Sequence, residues 1–177
     1  IIKYFLGYET VASYGLASRL VEFGFFIPLI LFNHYFKRLK NAENQQFYNE
    51  YGKLIWTNLL IALLYFGSVN VLLFLMNYYQ FFGELENFVL IGRILSAGIF
   101  AVFINVSISR YFIMMGNPKI SLYTNIIGAV LNIVGNILIV RIFGAVGVAS
   151  VTVFVYCSMS IALVVVFWIK ARPIPEI

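Results

Sequence analysis

Five long apolar segments, separated by short polar connections, dominate the hydrophobic pattern of the chain. Each is close to or above the roughly 20 residues that an α-helix needs to cross the hydrocarbon core of a bilayer. They lack strict polar–apolar alternation and are too long for barrel strands. The pattern therefore predicts an all-α integral membrane protein, a bundle of about five transmembrane helices over residues 11–36, 54–76, 88–115, 120–140 and 145–169.

The segments between and around these helices complete the predicted organisation. The opening residues 1–7 read as the end of a sixth helix, because IIKYFLG lacks the basic start and small-residue cleavage site of a signal peptide. Residues 37–53 are expected to be a cytoplasmic loop. The polar stretch 39–53 within it is also long enough for a short interfacial helix that dips Phe47, Tyr48 and Tyr51 into the headgroups. Residues 170–177 form a cytoplasmic tail. The 177 residues then make a single transmembrane lobe, which we expect to be a fragment of a longer chain.

Basic residues in the connections predict which way the bundle faces. Alternate connections lie on the same side of a membrane, and basic residues concentrate on the cytoplasmic side. Two basic residues, Lys3 and Arg141, fall on one side. The other side carries seven, namely Lys37, Arg38, Lys40, Lys53, Lys119, Lys170 and Arg172. The C-terminus is therefore expected in the cytoplasm, with Trp56 and Trp168 as anchors at the inner interface.

Composition agrees with a lipid environment, since 62% of the residues are hydrophobic and 11% are charged, against about a quarter charged in soluble proteins. The chain has one histidine, His34, one cysteine, Cys157, and no aspartate. Metal clusters and Ser-His-Asp chemistry are therefore disfavoured. We expect no enzymatic activity, no cofactor and no metal ion. The net charge of +5 is explained by the connections, so no nucleic-acid partner is expected.

Charged side chains within the predicted helices are candidates for function, because charge inside a membrane is costly. Arg19 and Glu22 are three residues apart and share a helix face, so they either pair with each other or face a water-filled cavity. Pro28 on the same helix can introduce a kink. Arg93 and Arg110 lie near opposite ends of the third helix. Each arginine either snorkels to headgroups or contacts an anionic substrate, since its fork matches phosphate oxygens.

Amide side chains mark the fourth predicted helix. Asn132 and Asn136 are four residues apart and stack on one face. An asparagine surrounded by lipid must find a hydrogen-bond partner, so this face is expected to point inward. The two amides either bond to a neighbouring helix or line a cavity.

Two stretches of the chain are similar to a known family. The first is LGYETVASYGLASRLVEF, which contains Arg19 and Glu22. The second is GNPKISLYTNIIGAVLNIVGNILIVRIFGAVGVASVTVFVY, which joins Asn132 and Asn136 through a short glycine-containing link to the last helix. Together they resemble the polysaccharide and O-antigen flippases of the multidrug/oligosaccharidyl-lipid/polysaccharide (MOP) exporter superfamily, over the second half of such a transporter.

The resemblance implies two six-helix lobes around a central cavity that opens alternately to each side. The implied substrate is a lipid-linked oligosaccharide, a sugar repeat unit on a polyprenyl diphosphate, moved to the outer leaflet of a bacterial or archaeal cytoplasmic membrane. The missing N-terminal lobe of the same chain and a polysaccharide polymerase are the implied protein partners. Arg19 is the first candidate for contact with the diphosphate. The full set of cavity candidates is Arg19, Glu22, Arg93, Arg110, Asn132 and Asn136.

Three other readings remain open at this point. A drug/cation antiporter of the same superfamily would use carboxylates in the membrane, and this chain has only Glu22 deep in a predicted helix. A structural or assembly subunit of the membrane would need none of the charged side chains described above. A membrane glycosyltransferase is disfavoured by the absence of aspartate.

Overall fold

The computed structural model of the protein describes residues 7–42, 44–80 and 87–170. Within these ranges the chain is helical and contains no β-strand. Four helical elements are long and apolar enough to cross a membrane, so the prediction of an all-α chain with several membrane-length helices is confirmed. The predicted end of a sixth helix with Lys3, and the predicted tail with Arg172, lie outside the described residues.

Six helices follow one another along the described chain. Helix α1 runs over Tyr8–Glu22, and a 3₁₀ turn over Phe23–Phe26 joins it to α2. The remaining helices are α2 over Ile27–Lys40, α3 over Asn44–Tyr78, α4 over Phe88–Ala97, α5 over Ile99–Met114 and α6 over Pro118–Lys170. The four membrane-length elements are Tyr8–Lys40, Gln45–Tyr78, Phe88–Met114 and Pro118–Lys170.

The junction between α1 and α2 lies where the sequence predicted a proline kink. Pro28 stands in the first turn of α2 and has no amide hydrogen to give to the carbonyl of Gly24. The chain passes this point as the 3₁₀ turn Phe23–Phe26. A Cβ at Gly24 would collide with the ring of Tyr65 on α3, and the Tyr65 hydroxyl donates to the carbonyl of Leu20 at 2.8 Å. Helix α3 therefore fixes the irregular segment by close contact.

The segment predicted as a loop over 37–53 is largely helical in the structure. Helix α2 continues to Lys40, and α3 begins at Asn44, well before the predicted start at residue 54. Only a short connection separates the two helices. The polar residues of this region therefore extend two helices beyond the apolar segments rather than forming an open loop.

Two aromatic side chains explain why α3 starts so early. Phe47 and Tyr51 are 2% and 5% exposed, and their ring centroids lie 5.9 Å and 5.4 Å from that of Tyr111 on α5. With Leu54 they follow a spacing of four and three residues, which is the period of one helix face. The two rings are thus buried between helices, and not in the headgroups as the interfacial-helix alternative predicted.

The predicted third helix is divided into α4 and α5 at Gly98, whose amide donates to the carbonyl of Leu95 at 3.0 Å. This element occupies the centre of the bundle. In the most apolar window of Phe88–Met114, 50% is buried, compared with 17% to 28% in the other three elements. The Ser160 hydroxyl of α6 donates to the carbonyl of Ala101 at 2.5 Å, so α5 and α6 are also joined by a polar contact.

The fourth and fifth predicted helices form one element, α6, with no loop between them. At Gly144 the backbone has φ 60° and ψ −149°, which is not helical. Removing Gly144 from the 53 residues leaves two halves of 26 residues. Each half rises roughly 39 Å at about 1.5 Å per residue, enough for a hydrocarbon core of about 30 Å. The difference between five predicted and four observed membrane-length helices therefore lies at this single glycine.

Contacts across Gly144 show that the two halves of α6 run antiparallel. Near the turn, Ile139 lies against Gly147. Further from it, Gly128 lies so close to Met159 that a Cβ at this glycine would collide with the sulfur. Residue numbers fall along one half as they rise along the other, so α6 is a helical hairpin. Glycine on the facing surface allows this close approach.

Two buried apolar clusters lie one above the other along the bundle. One joins residues of α1, α3, α4, the first half of α5 and the hairpin turn, including Ala17, Leu73 and Ala149. The other joins the end of α2, the start of α3, the end of α5 and the last turns of α6. We call the second region the basic end, because the following basic residues lie there: Lys37, Arg38, Lys40, Lys53, Lys119 and Lys170. Arg141 lies at the opposite end, beside the hairpin turn.

Candidate functional site

A cavity of about 490 Å³ lies between α1 and the α6 hairpin. Its lining combines apolar side chains with hydroxyl, amide and carboxyl groups, which distinguishes it from the apolar outer faces of the same helices. The polar lining residues are Tyr14, Glu22, Asn125, Asn132, Thr152 and Tyr156.

Helical periodicity brings these side chains to one place. Tyr14 and Glu22 are eight residues apart on α1, about two helical turns of 3.6 residues. Asn125 and Asn132 are seven residues apart on the first half of α6. Because the hairpin folds back at Gly144, the second half presents its own polar residues to the same space.

A chain of hydrogen bonds connects the polar residues of the hairpin. Asn136 donates through Nδ2 to Oδ1 of Asn132 at 2.6 Å. Asn132 in turn donates through Nδ2 to Oγ1 of Thr152, at a long 3.4 Å. The Thr152 hydroxyl donates to the carbonyl of Val148 at 3.0 Å. The two asparagines predicted to point inward therefore bond to each other and to the facing half of the hairpin.

Tyr14 extends this chain to α1. Its hydroxyl lies 3.4 Å from Oγ1 of Thr152. A threonine hydroxyl has one hydrogen, and Thr152 gives it to the carbonyl of Val148. Tyr14 is therefore the donor in its contact with Thr152. The Thr152 hydroxyl thus accepts hydrogen bonds from Tyr14 of α1 and Asn132 of α6 at the edge of the cavity.

Two groups at the site have unused hydrogen-bonding capacity. Oδ1 of Asn136 is buried and has no hydrogen-bond partner among the described residues. Glu22 lines the cavity and, within the same part of the chain, forms neither an ion pair nor a side-chain hydrogen bond. Of these two groups, the Glu22 carboxylate faces the cavity and is accessible to a ligand, whereas the Asn136 oxygen is buried behind Asn132. Hydroxyl-rich ligands supply the donors that such an acceptor needs.

The structure separates Arg19 from Glu22, although the two residues were expected to share one face. Both side chains are exposed, but Glu22 lines the cavity and Arg19 is not among the lining residues. No ion pair joins these two side chains, both of which lie in the described part of α1. Three residues along a helix still leave about 60° between two side chains. That rotation is enough for one to face the hairpin and the other to face outward.

Arg93 and Arg110 lie apart from this cavity. Arg93 is exposed on α4, in the half of the bundle that contains the hairpin turn. Arg110 is half-buried on α5 and lines a second cavity at the basic end, together with Lys40 and Asn33. Of the six predicted site residues, the structure therefore brings Glu22 and Asn132 to the polar cavity, with Asn136 bonded behind Asn132.

Sequence reasoning missed four residues that line the cavity: Tyr14, Asn125, Thr152 and Tyr156. The seven-residue spacing of Asn125 and Asn132 was a usable signal, because it places both on one helix face. Tyrosine and threonine gave no signal, because both are common in apolar helices without any role in binding.

The side chains that line the cavity favour neutral polar ligands over metal ions. Among the described residues, no group of three or more histidine, cysteine, aspartate or glutamate side chains lies close enough to hold a metal ion. The lining is instead suited to neutral polar ligands, through amide donors, hydroxyl groups and the Glu22 carboxylate. No protein-family model or curated protein matches the sequence, and no solved structure matches the fold.

Proposed function

We propose that this chain is one lobe of a flippase that moves a lipid-linked oligosaccharide across the cytoplasmic membrane by alternating access. The chain would cross the membrane five times, with the α6 hairpin crossing twice, and a second lobe would complete the transporter. The polar cavity between α1 and α6 carries this proposal. Both stretches that resemble the flippase family line it, the first through Tyr14 and Glu22 and the second through Asn132 and Thr152.

The task of such a protein is to carry a sugar headgroup through hydrocarbon while the lipid tail stays in the bilayer. An unpaired hydroxyl or amide in an apolar medium costs several kcal/mol, roughly 2–7 depending on the reference state. Amide, hydroxyl and carboxylate groups of the cavity replace the water that the sugar leaves behind. The Glu22 carboxylate, which lines the cavity and forms no ion pair among the described residues, is then suited to sugar hydroxyl donors.

Arg19 supports the same proposal from outside the cavity. It lies eleven residues from the start of α1, roughly 16 Å along an element of about 50 Å, and is exposed there. An exposed arginine at this depth is costly in lipid unless an anion or water accompanies it. In the proposed transporter, Arg19 faces the second lobe and binds the diphosphate of the substrate, whose oxygens match its two-pronged geometry.

Transport by variants of the full-length protein tests this function. We expect Asn132→Leu and Arg19→Ala to lower translocation of a fluorescent polyprenyl-diphosphate oligosaccharide in reconstituted vesicles by at least about tenfold, as expected when a desolvated polar or charged contact is lost. Asn77→Ala and Arg38→Ala are matched controls, since both residues are exposed and outside the cavity. Both controls should translocate the lipid at the unmodified rate.

Two outcomes would contradict the proposal. Unchanged translocation by Asn132→Leu, at a normal protein level, would remove the cavity from the mechanism. Export of organic cations by the unmodified protein, with no movement of the sugar lipid, would favour an antiporter instead.

A further inference from the structure

A second cavity, of about 320 Å³, lies at the basic end between α2 and α5. We infer that it binds the phosphate of an anionic phospholipid headgroup, with Arg110 and Lys40 on the phosphate and apolar side chains along the adjoining glycerol and acyl carbons. The lining residues are Phe32, Asn33, Phe36, Lys40, Arg110, Ile113 and Met114. This binding is separate from the proposed transport, because Glu22 and Asn132 line a different cavity.

The two helices present one face each to this pocket. On α2, Asn33, Phe36 and Lys40 follow one another at intervals of three and four residues, which places them on one face. On α5, Arg110 and Met114 are four residues apart and share a face in the same way. The pocket is therefore built by regular positions of two packed helices.

Charge in the pocket is unbalanced. Its lining contains two cationic side chains and no acidic one. Within the described residues, the side chains of Arg110 and Lys40 take part in neither an ion pair nor a hydrogen bond. Arg110 is half-buried, and placing a second cation beside a partly desolvated guanidinium is unfavourable unless an anion joins them. A phosphate group supplies that anion and matches the planar donors of arginine.

The position of the pocket along the bundle fits the headgroup region of a bilayer. The ring of Tyr111, the neighbour of Arg110, lies 4.9 Å from the ring of Phe167. Trp168 follows Phe167 and is 81% exposed. An exposed tryptophan close to a helix end is typical of a membrane–water interface. Arg110 therefore lies at the level where phospholipid phosphates are found.

The apolar part of the lining favours a lipid over free phosphate. Phe36 and Ile113 are 40% and 44% exposed, and both border the pocket beside the cations. Free phosphate would leave these side chains in contact with water, whereas the glycerol and first acyl carbons of a lipid would cover them. Other exposed basic residues at the same end, such as Lys37 and Lys119, also attract anionic lipids.

Native mass spectrometry of the full-length protein, titrated with phosphatidylglycerol or phosphatidylcholine of equal chain length, tests this inference. We expect one phosphatidylglycerol to bind about tenfold more tightly than phosphatidylcholine. The double variant Lys40→Gln/Arg110→Gln should lose this preference. The control Arg38→Gln/Lys119→Gln removes the same charge from the same end, outside the pocket, and should keep it. Equal loss of preference in both double variants would overturn the inference.

Two further measurements use the unmodified protein and do not depend on folding of the variants. A phosphatidylglycerol with a diazirine near the glycerol should form adducts on the segments that contain Phe36 and Ile113. Adducts spread evenly over all helices would contradict a specific pocket. Millimolar inorganic phosphate should leave the bound lipid in place. Displacement of the lipid by phosphate would instead identify a site for free anions.

Discussion

The hydroxyl of Thr152 is a hydrogen-bond junction between α1 and the two halves of α6. It accepts from Asn132 and from Tyr14 while donating to its own helix at Val148. Its removal would leave the amide of Asn132 and the hydroxyl of Tyr14 without their acceptor. The Thr152 hydroxyl stabilises the protein by joining helices. Replacing Thr152 with valine, which has nearly the same shape, removes only the hydroxyl and so measures its contribution.

We predict that Thr152→Val lowers the free energy of unfolding by about 1 kcal/mol, because two contacts are lost and interhelical hydrogen bonds in membrane proteins average about 0.6 kcal/mol each. Thr124→Val is the matched control, since among the described residues the Thr124 hydroxyl bonds the carbonyl of Ile120 in its own helix and no other group. Thermal unfolding in detergent gives the comparison. Equal midpoints for the two variants would contradict the role assigned to Thr152, and Thr152→Ser should unfold as the unmodified protein does.

Residue spacing predicted which side chains share a helix face, but not which of them point into the cavity. The i, i+4 spacing of Asn132 and Asn136 implied a shared face, and the two side chains do bond to each other. The i, i+3 spacing of Arg19 and Glu22 implied the same, yet only Glu22 lines the cavity. Spacing fixes the angle between two side chains of one helix, whereas the neighbouring helices decide which of them faces the cavity. The side chain that faces the cavity therefore depends on helix packing and cannot be predicted from one segment of sequence.

At the scale of elements, Gly144 turns a 53-residue helical stretch back on itself. Its φ of 60° and ψ of −149° fall in a region that is essentially restricted to glycine. A residue with a Cβ would strain this turn, and continuation of the helix would give a rod of roughly 80 Å. The hairpin, and with it one wall of the polar cavity, therefore depends on this position.

We predict that Gly144→Ala destabilises the protein by about 1–3 kcal/mol, the usual cost of a sparsely populated backbone conformation. Gly67→Ala is the control, since this glycine lies within helix α3 and a Cβ there would meet nothing within 4 Å. That variant should be neutral or slightly more stable, because alanine favours helix over glycine. Thermal unfolding midpoints of the two variants test this prediction. Equal midpoints would contradict it, because they would mean that the turn tolerates a side chain.

The elements were easier to predict than their ends. Apolar segments of membrane length leave helix as the available structure, because each backbone group must be satisfied within the segment. Outside the apolar segments this constraint is lost, and the polar stretch 37–53 could be a loop or a helix. The burial of Phe47 and Tyr51 against Tyr111 favours the helix. Sequence reasoning could not foresee this contact, because it joins residues about sixty positions apart.

The whole molecule has an asymmetry of charge along its axis. The basic end carries Lys37, Arg38 and Lys40 of α2, Lys53 of α3, and Lys119 and Lys170 at the two ends of α6. Both exposed tryptophans lie in helices that meet there. The structure places these residues at one end of the bundle. Which side of the membrane that end faces stays a prediction, based on the preference of basic residues for the cytoplasm.

Cysteine labelling in intact cells tests this orientation. In a Cys157→Ser background, which removes the exposed native thiol, one new cysteine is placed at each end. Asn117→Cys lies in the exposed turn before α6, at the basic end, and Ile142→Cys lies at the hairpin turn, where the side chain is 73% exposed. We expect a membrane-impermeant maleimide to label Ile142→Cys directly and Asn117→Cys only after permeabilisation. The reverse pattern would place the basic end outside, and the phosphate pocket of Lys40 and Arg110 would then face the outer leaflet.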